Sequence, residues 1–120
     1  MKVIYIAGHY RSDKGEWYVT QNIEAAASAA LFVWLYGGVA LCPHKNTSLF
    51  GGAYGIPDRT WLDGDLELLS RCDAIWALPG WDTSSGAQAE VEFAEDLNMP
   101  ILYDQPDVLR FLGKEVIEVR

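Results

Sequence analysis

Short apolar segments alternate with helical segments along the chain, and this alternation constrains the fold more than any other feature of the sequence. Strands are predicted at residues 2–7, 39–41, 74–78, 100–103 and 115–119. Strands that alternate with helices form a parallel sheet with helices on both faces. Such strands are apolar throughout because both of their faces are buried. The sequence therefore predicts a flavodoxin-like (Rossmann-like), doubly wound α/β fold with five parallel strands in the order 2-1-3-4-5.

The segments between the strands predict four helices and one long loop. Ser85 is the predicted N-cap of the third helix, with Gln88 completing a capping box. A chain of 120 residues suits one domain with one core, residues 1–120. The predicted helices cover residues 18–36, 60–71, 84–97 and 106–112, and the long loop covers residues 42–59.

Ligands in this fold bind beyond the carboxyl ends of the strands, at the switch point between strands 1 and 3. The loops that follow these strands are residues 8–17 and 79–84. The long loop after strand 2 lies beside them, and a loop of that length in a small domain is usually functional. We therefore expect these three loops to border a ligand site.

Residues 25–42 form a run of 18 residues without a charged side chain, close to the length of a membrane span. Gly37 and Gly38 divide this run, so it predicts a buried helix followed by a buried strand, and no membrane partner. The predicted inward face of the helix comprises Val19, Ile23, Ala26, Ala27, Ala30, Leu31, Trp34 and Leu35.

The end of the same helix predicts self-association. Residues 31–36 are apolar on every side of the helix, yet only one side can face the sheet. We therefore expect a homo-oligomer, most simply a two-fold symmetric dimer, with Phe32, Val33 and Tyr36 at its interface. The alternative is that the loop 46–59 covers this side within one chain.

Charge and cysteine content exclude some classes of protein. The net charge is −8 and no Lys/Arg cluster is present, which argues against a protein that binds long nucleic acid. A small anionic ligand held by a few local groups remains compatible with this charge. Cys42 and Cys72, in a chain without a signal peptide, predict free thiols in a reducing cytoplasm.

Two carboxylates fall on helix faces that should be apolar. Glu90 lies between Ala87 and Ala94 on the predicted stripe of the third helix, and Asp65 shares a face with three leucines of the second. One interpretation is that both side chains lie at the edge of their stripes and reach water. The other is that they form a site at the ligand edge, where the helix N-terminus would keep Glu90 ionised at pH 7 as a nucleophile or base.

Several other residues could either serve in a binding site or simply pack in the fold. His9, Cys42 and His44 are metal-ligand types, but they lack a second paired motif, so no metal site is predicted. Trp61 and Trp81 flank the expected cleft, where they could stack on a base or pack against other aromatic side chains.

Four motifs resemble the nucleoside 2-deoxyribosyltransferase-like superfamily. They are YIAG with an arginine three residues later (5–11), DLELL (65–69), CDAIWAL (72–78) and SSGAQAE (84–90). They occur in the family's order and extend the resemblance to about residue 103. The resemblance implies the same doubly wound five-stranded sheet.

The resemblance also implies roles for individual residues. Glu90 matches the nucleophile that attacks C1′ of the sugar, Asp65 the acid that contacts the leaving base or its sugar, and Tyr5 the tyrosine that orients the nucleophile. Ser84 and Arg11 match the phosphate-contacting residues of the superfamily's nucleotide N-hydrolases. The substrate-binding set is Gly8, His9, Arg11, Trp81, Ser84, Ser85 and Gly86.

This resemblance leads to an expected activity. We expect hydrolysis of the N-glycosidic bond of a nucleoside or 2-deoxynucleoside 5′-monophosphate, without a metal or organic cofactor. The alternatives are base transfer by a nucleoside deoxyribosyltransferase, cleavage of a dinucleotide such as NAD at its ribosyl bond, and a non-catalytic nucleotide-binding or sensing module. Glu92 departs from the family, which often has Gly there, and the region 46–59 resembles a phage and bacterial branch that carries CPH.NT.

Overall fold

A computed structural model of the chain describes residues 1–10, 12, 14–46, 50 and 52–116. The strands are Val3–Ala7 (β1), Val39–Leu41 (β2), Ala74–Ala77 (β3) and Ile101–Leu102 (β4). The helices are Glu16–Leu35 (α1), Pro43–Asn46 (α2), Asp58–Ser70 (α3), Ser85–Asp96 (α4) and Gln105–Phe111 (α5), with short 3-10 turns at Ala53–Gly55 and Trp81–Thr83.

The strands form one parallel sheet in the order β2-β1-β3-β4. Tyr5 is central, because it lies opposite Leu41 of β2 and Ile75 of β3. This confirms the predicted α/β class, the parallel strands and the switch point between β1 and β3. The described residues contain four strands rather than five. Residues 117–119 of the predicted fifth strand lie outside the described part, and residues 115 and 116 are not in a strand.

Helices cover both faces of the sheet, as the doubly wound fold requires. Alternate residues of β1 point to opposite faces. Ile4 and Ile6 pack with α1 and α5, whereas Tyr5 and Ala7 pack with α3 and α4. Each fully buried aliphatic side chain stabilises the fold by about 1.5–3 kcal/mol. Tyr5 thus lies on the same face of the sheet as the helices that carry the two anomalous acids.

The inward face of α1 differs from the predicted one. Its buried residues are Ala26, Ala29, Ala30 and Val33, while Leu31, Trp34 and Leu35 are exposed. Residues 31–36 are apolar at every position, so periodicity alone does not fix which side of the helix faces the sheet; the small alanines let the helix pack closely there. Within the described residues, no helix is both long and apolar enough to cross a membrane.

The residues expected at a dimer interface are also placed differently in the structure. Val33 is fully buried, and Phe32 packs against the core with its ring centre 5.9 Å from that of Trp76. Tyr36 contacts Phe32 and is only partly exposed. Phe32 and Val33 therefore cannot form the outward side of α1.

The entry to α4 also differs by one residue. Ser84, not Ser85, is the N-cap, and its hydroxyl accepts a hydrogen bond from the Ala87 amide at 3.3 Å. The Gln88 side chain donates to the Asp82 carbonyl instead of closing a capping box. This bond ties the turn after β3 to the first turns of α4.

Candidate active site

A cavity of about 800 Å³ lies at the carboxyl ends of β1, β2 and β3. Its walls come from the loop after β1, from α1, α2 and α3, and from the first turns of α4. This is where the switch-point rule places a ligand. Lining residues are 8–10, 12, 14, 18, 22, 43, 44, 58, 59, 61, 62, 65, 83–87 and 90.

Glu90 lies on the inward side of α4, buried beside Ala87, Val91 and Ala94. The hydroxyl of Tyr5 donates a hydrogen bond to its Oε2 atom. Burial raises the pKa of Tyr5 well above its usual range, and the negative charge of Glu90 raises it further. Tyr5 therefore keeps its proton and acts as a fixed donor to the carboxylate.

The protonation of Glu90 differs from the expectation that it stays ionised at pH 7. Burial raises its pKa to about 7, the bond from Tyr5 lowers it, and the charge of Asp65 raises it. Glu90 is the sixth residue of α4, and the effect of a helix N-terminus fades within the first turn. The carboxyl group is therefore poised between its two protonation states near neutral pH.

Asp65 borders the same cavity from the middle of α3, among the leucines that predicted its position. It is half-buried, and this burial raises its pKa to about 6. Two carboxyl groups with raised pKa values on facing helices are typical of sites for acid–base or nucleophilic chemistry.

Two loops are joined across the switch point by His9. Its Nε2 atom lies 2.8 Å from the Thr83 hydroxyl, which itself donates to the Gly80 carbonyl at 2.9 Å. Because the Thr83 proton is used, His9 Nε2 is the donor in this bond. Gly80 has φ of 88°, and a Cβ there would lie 3.3 Å from the His9 ring. Gly8 is buried where a Cβ would meet Leu78 at 3.3 Å.

The start of α4 forms another wall of the cavity. Ser84, Ser85 and Gly86 all line it, close to the unpaired amides of the helix N-terminus. Such a position favours an anion. Lys14 and Arg59 also line the cavity and supply positive charge.

Three predicted site residues remain, and each has a different outcome. Arg11 lies outside the described residues. Trp81 does not line the cavity, because it packs against the α3–α4 side of the core, with its ring centre 6.2 Å from that of Tyr103. Tyr5 lies just below the lining and reaches the site through Glu90.

The sequence left His44 without a function, yet His44 is a wall residue of the cavity. It is buried, and its Nε2 atom lies 2.6 Å from the carbonyl oxygen of His9. The signal was the CPH motif, which the prediction placed in the long loop; its Pro43 and His44 form the start of α2. Among the described residues, no three His, Cys, Asp or Glu side chains gather closely enough to bind a metal ion.

Two solved structures share this fold. One is a 2-deoxyribosyltransferase of the psychrotolerant bacterium Bacillus psychrosaccharolyticus, with a TM-score of 0.63 and 19% identity over 82% of this chain and 69% of that chain. The other is a 2-deoxyribosyltransferase of Leishmania mexicana, with a TM-score of 0.56 and 21% identity over 98% of this chain and 75% of that chain. At these identities the likeness establishes the fold.

Sequence comparison assigns the family. No curated protein sequence matches the chain. The family described as "Domain of unknown function (DUF7768)" matches residues 2–104. The chain therefore belongs to the DUF7768 family, and its fold is that of the nucleoside 2-deoxyribosyltransferase-like superfamily.

Proposed function

We propose that this protein hydrolyses the N-glycosidic bond of a nucleoside or 2-deoxynucleoside 5′-monophosphate, with Glu90 as the nucleophile. The hydrogen bond from Tyr5 to Glu90 supports this proposal most. It fixes one oxygen of a buried carboxylate beside a cavity, and among the described residues the other oxygen has no hydrogen-bond partner. A positioned, partly desolvated carboxylate is a competent nucleophile toward a sugar C1′.

The proposed reaction has two steps. In the first, Glu90 Oε1 forms a bond to C1′ while the bond from C1′ to the base nitrogen breaks, and the base leaves with a proton from Asp65. In the second, water attacks C1′ and gives a proton to Asp65, the ester bond from C1′ to Glu90 breaks, and the sugar phosphate leaves while Glu90 regains its negative charge.

Asp65 is proposed to contact the leaving base or its sugar. Its pKa of about 6 lets it exchange a proton near neutral pH. Proton transfer to a leaving group by a positioned acid typically accelerates a reaction by about 10²–10⁴-fold.

The 5′-phosphate is proposed to bind at the start of α4. Ser84 uses its oxygen to cap the helix, so its proton remains available to a phosphate oxygen. The helix N-terminus favours the anion, and an arginine supplies a charge-assisted bond. That arginine is Arg11 by the family resemblance. Gly8, His9, Ser85 and Gly86 complete the proposed substrate-binding set, whereas Trp81 begins the 3-10 turn that carries Thr83 and does not line the cavity.

Base transfer is the second candidate reaction, because both fold relatives are 2-deoxyribosyltransferases. The same ester would then be resolved by an acceptor base instead of water. Cleavage of a dinucleotide such as NAD, and binding without turnover, are the further alternatives from the sequence.

Incubation with each ribo- and deoxynucleoside 5′-monophosphate, followed by chromatography of the free base, tests the proposal. Hydrolysis releases free base without an added acceptor, whereas transfer requires a second base and forms a new nucleoside. Release of nicotinamide from NAD would identify the dinucleotide reaction. Absence of all three reactions would leave a binding module.

We also propose that the chain forms a homodimer through the outward face of α1, namely Leu31, Trp34 and Leu35. These side chains are 68%, 54% and 75% exposed, and such patches mark interaction surfaces. A second copy can approach this face because the run 25–42 carries no charge, although each chain carries a net charge of −8. Leu31 lies about 14 Å along α1 from Asn22 in the cavity wall.

A further inference from the structure

A chain of hydrogen bonds links α2, the loop after β1 and the turn after β3 in the wall of the cavity. His44 Nε2 lies 2.6 Å from the carbonyl oxygen of His9. The ring of His9 in turn lies 2.8 Å from the Thr83 hydroxyl, which donates to the Gly80 carbonyl at 2.9 Å. The backbone of His9 is therefore held by α2, and its side chain holds the turn after β3.

The ring nitrogens of His9 define what this side chain can bind. Because the Thr83 proton goes to Gly80, His9 Nε2 is the donor in its bond to Thr83. In the neutral ring the other nitrogen, Nδ1, is then an acceptor, and the oxygens of a phosphate dianion are acceptors as well. The one N–H of the neutral ring is thus used on Thr83, and none is left for a phosphate oxygen.

Thr83 connects the His9 ring to the proposed phosphate site. Thr83 is the last residue of the 3-10 turn Trp81–Thr83, and the next residue, Ser84, is the N-cap of α4. On the other side of the bond, Arg11 follows His9 by two residues in the sequence. The bond between His9 and Thr83 therefore joins the two segments that carry the proposed phosphate ligands.

The packing of the His9 ring also fixes the turn. Gly80 has φ of 88°, and a Cβ at this position would lie 3.3 Å from Cδ2 of the ring. Glycine meets both requirements, because it adopts a positive φ without strain and lets another group approach the backbone closely. The ring is therefore seated against the turn as well as bonded to it.

We propose that His9 and Thr83 are positioning residues for the phosphate site, and that their bond holds the turn before α4 in the conformation that presents Ser84 to the 5′-phosphate. A site that is ordered before its ligand arrives binds more tightly, because ordering the segment then adds no cost on binding. This inference rests on the proposed function for the presence of a phosphate. It places His9 in the substrate-binding set through Thr83 rather than by direct contact.

Calorimetry in a Glu90→Gln background measures nucleotide binding without turnover. Thr83→Val keeps the branched shape and removes the hydroxyl, and His9→Phe keeps a ring and removes the donor. Each change is expected to weaken binding of the deoxynucleoside monophosphates about fivefold, which corresponds to the roughly 1 kcal/mol of a neutral hydrogen bond. The double variant should also lose about fivefold rather than about 25-fold, because both changes remove the same bond.

Two conservative variants should preserve the bond. His9→Gln carries an amide nitrogen as many bonds from Cβ as Nε2 is, and Thr83→Ser keeps the hydroxyl, so both should retain the affinity of the parent. The matched control is Thr20→Val, which removes a hydroxyl at an exposed position of α1 outside the cavity wall and should also bind like the parent. The corresponding nucleosides lack the phosphate, so in Thr83→Val their affinity should fall by less than about twofold.

Three results would overturn the inference. Losses that multiply in the double variant would show that His9 contacts the ligand itself. Equal losses for nucleotides and nucleosides would show a general disturbance of the site, and base release by the enzyme with unchanged nucleotide affinity in both single variants would show that the bond positions nothing. If no monophosphate binds, both this inference and the proposed function fail. The expected binding pattern without base release by the enzyme that retains Glu90 overturns the proposed function alone.

Discussion

Tyr5 and Glu90 are joined by a hydrogen bond although 85 residues separate them in the sequence. Tyr5 lies in the central strand, and Glu90 lies on the inward side of α4. Neither residue can move without disturbing the core, because both are buried. The bond therefore places a carboxylate of fixed orientation at the edge of the cavity, and the first predictions concern this pair.

Replacement of Glu90 by Gln should abolish base release while leaving the fold intact. Loss of a nucleophile costs several orders of magnitude in rate. Glu92 provides the matched control, because it lies two residues away on the exposed side of the same helix. Glu92→Gln should retain wild-type turnover. More than about a tenth of wild-type activity in Glu90→Gln would exclude Glu90 as the nucleophile, given the losses typical of such residues.

Removal of the Tyr5 hydroxyl should shift the pH dependence of the reaction upward. The bond from Tyr5 lowers the pKa of Glu90, which burial otherwise raises to about 7. In Tyr5→Phe the nucleophile should therefore ionise at higher pH, and the acid limb of the kcat/KM profile should move in the same direction. Activity would fall most at neutral pH and recover partly at alkaline pH. An acid limb at its wild-type position would mean that Tyr5 does not set the ionisation of the nucleophile.

The raised pKa values of Glu90 and Asp65, about 7 and about 6, also predict how stability depends on pH. Their ordinary values are about 4.3 and 3.9. Between about pH 4 and pH 7 the folded state holds protons that the unfolded chain has lost, so these groups make stability fall as pH rises. For Glu90 the loss is about 4 kcal/mol, and partly buried Asp65 contributes less because water screens it.

Thermal unfolding at pH 5 and pH 8 checks this prediction. Glu90→Gln cannot ionise, so at pH 8 it should melt at a higher temperature than the wild type, with a smaller difference at pH 5. Glu92→Gln should have the melting temperature of the wild type at both pH values. A lower melting temperature for Glu90→Gln at pH 8 would contradict the sign of the effect.

The sequence predicted those features that depend on local pattern. The four observed strands were predictable because a strand that is buried on both faces is apolar along its whole length. The position of Glu90 followed from the spacing of Ala87 and Ala94 on a helix with one clear polar side. The inward face of α1 was not predictable in this way, because an all-apolar segment such as 31–36 has no preferred side until it meets the sheet.

Features that depend on tertiary packing were missed. The pKa of Glu90 is set by the packing of α3 and α4 around it, and no single helix reveals this desolvation. The hydrogen bonds from His44 to His9 and from His9 to Thr83 join three segments that are distant in the sequence. The capping residue was wrong by one position because Ser84 and Ser85 are adjacent, and both are good N-caps.

Replacement of Arg11 by Ala should weaken nucleotide binding by about 1.5–3 kcal/mol, the range for a hydrogen bond to a charged group. Binding of the corresponding nucleoside should change little, because it lacks the phosphate. Calorimetry on both ligands measures the difference. Arg71→Ala is the control, since Arg71 pairs with Glu67 and does not line the cavity. Equal losses for nucleotide and nucleoside would show that Arg11 does not bind the phosphate.

A negative charge on the outward face of α1 should dissociate the proposed dimer. Light scattering at micromolar concentration should give about twice the 13.4 kDa of one chain for the wild type. Leu31→Glu should give the mass of one chain, because an isologous interface would bury two such carboxylates near each other without partners.

Gln21→Glu adds the same charge at an exposed position of the same helix, away from the patch, and should leave the dimer intact. A wild-type mass near 13.4 kDa, with activity retained, would refute the interface. Because Leu31 lies nine residues, about 14 Å, along the helix from Asn22 in the cavity wall, Leu31→Glu should retain turnover; loss of turnover in a folded Leu31→Glu monomer would instead show that the site depends on the second copy.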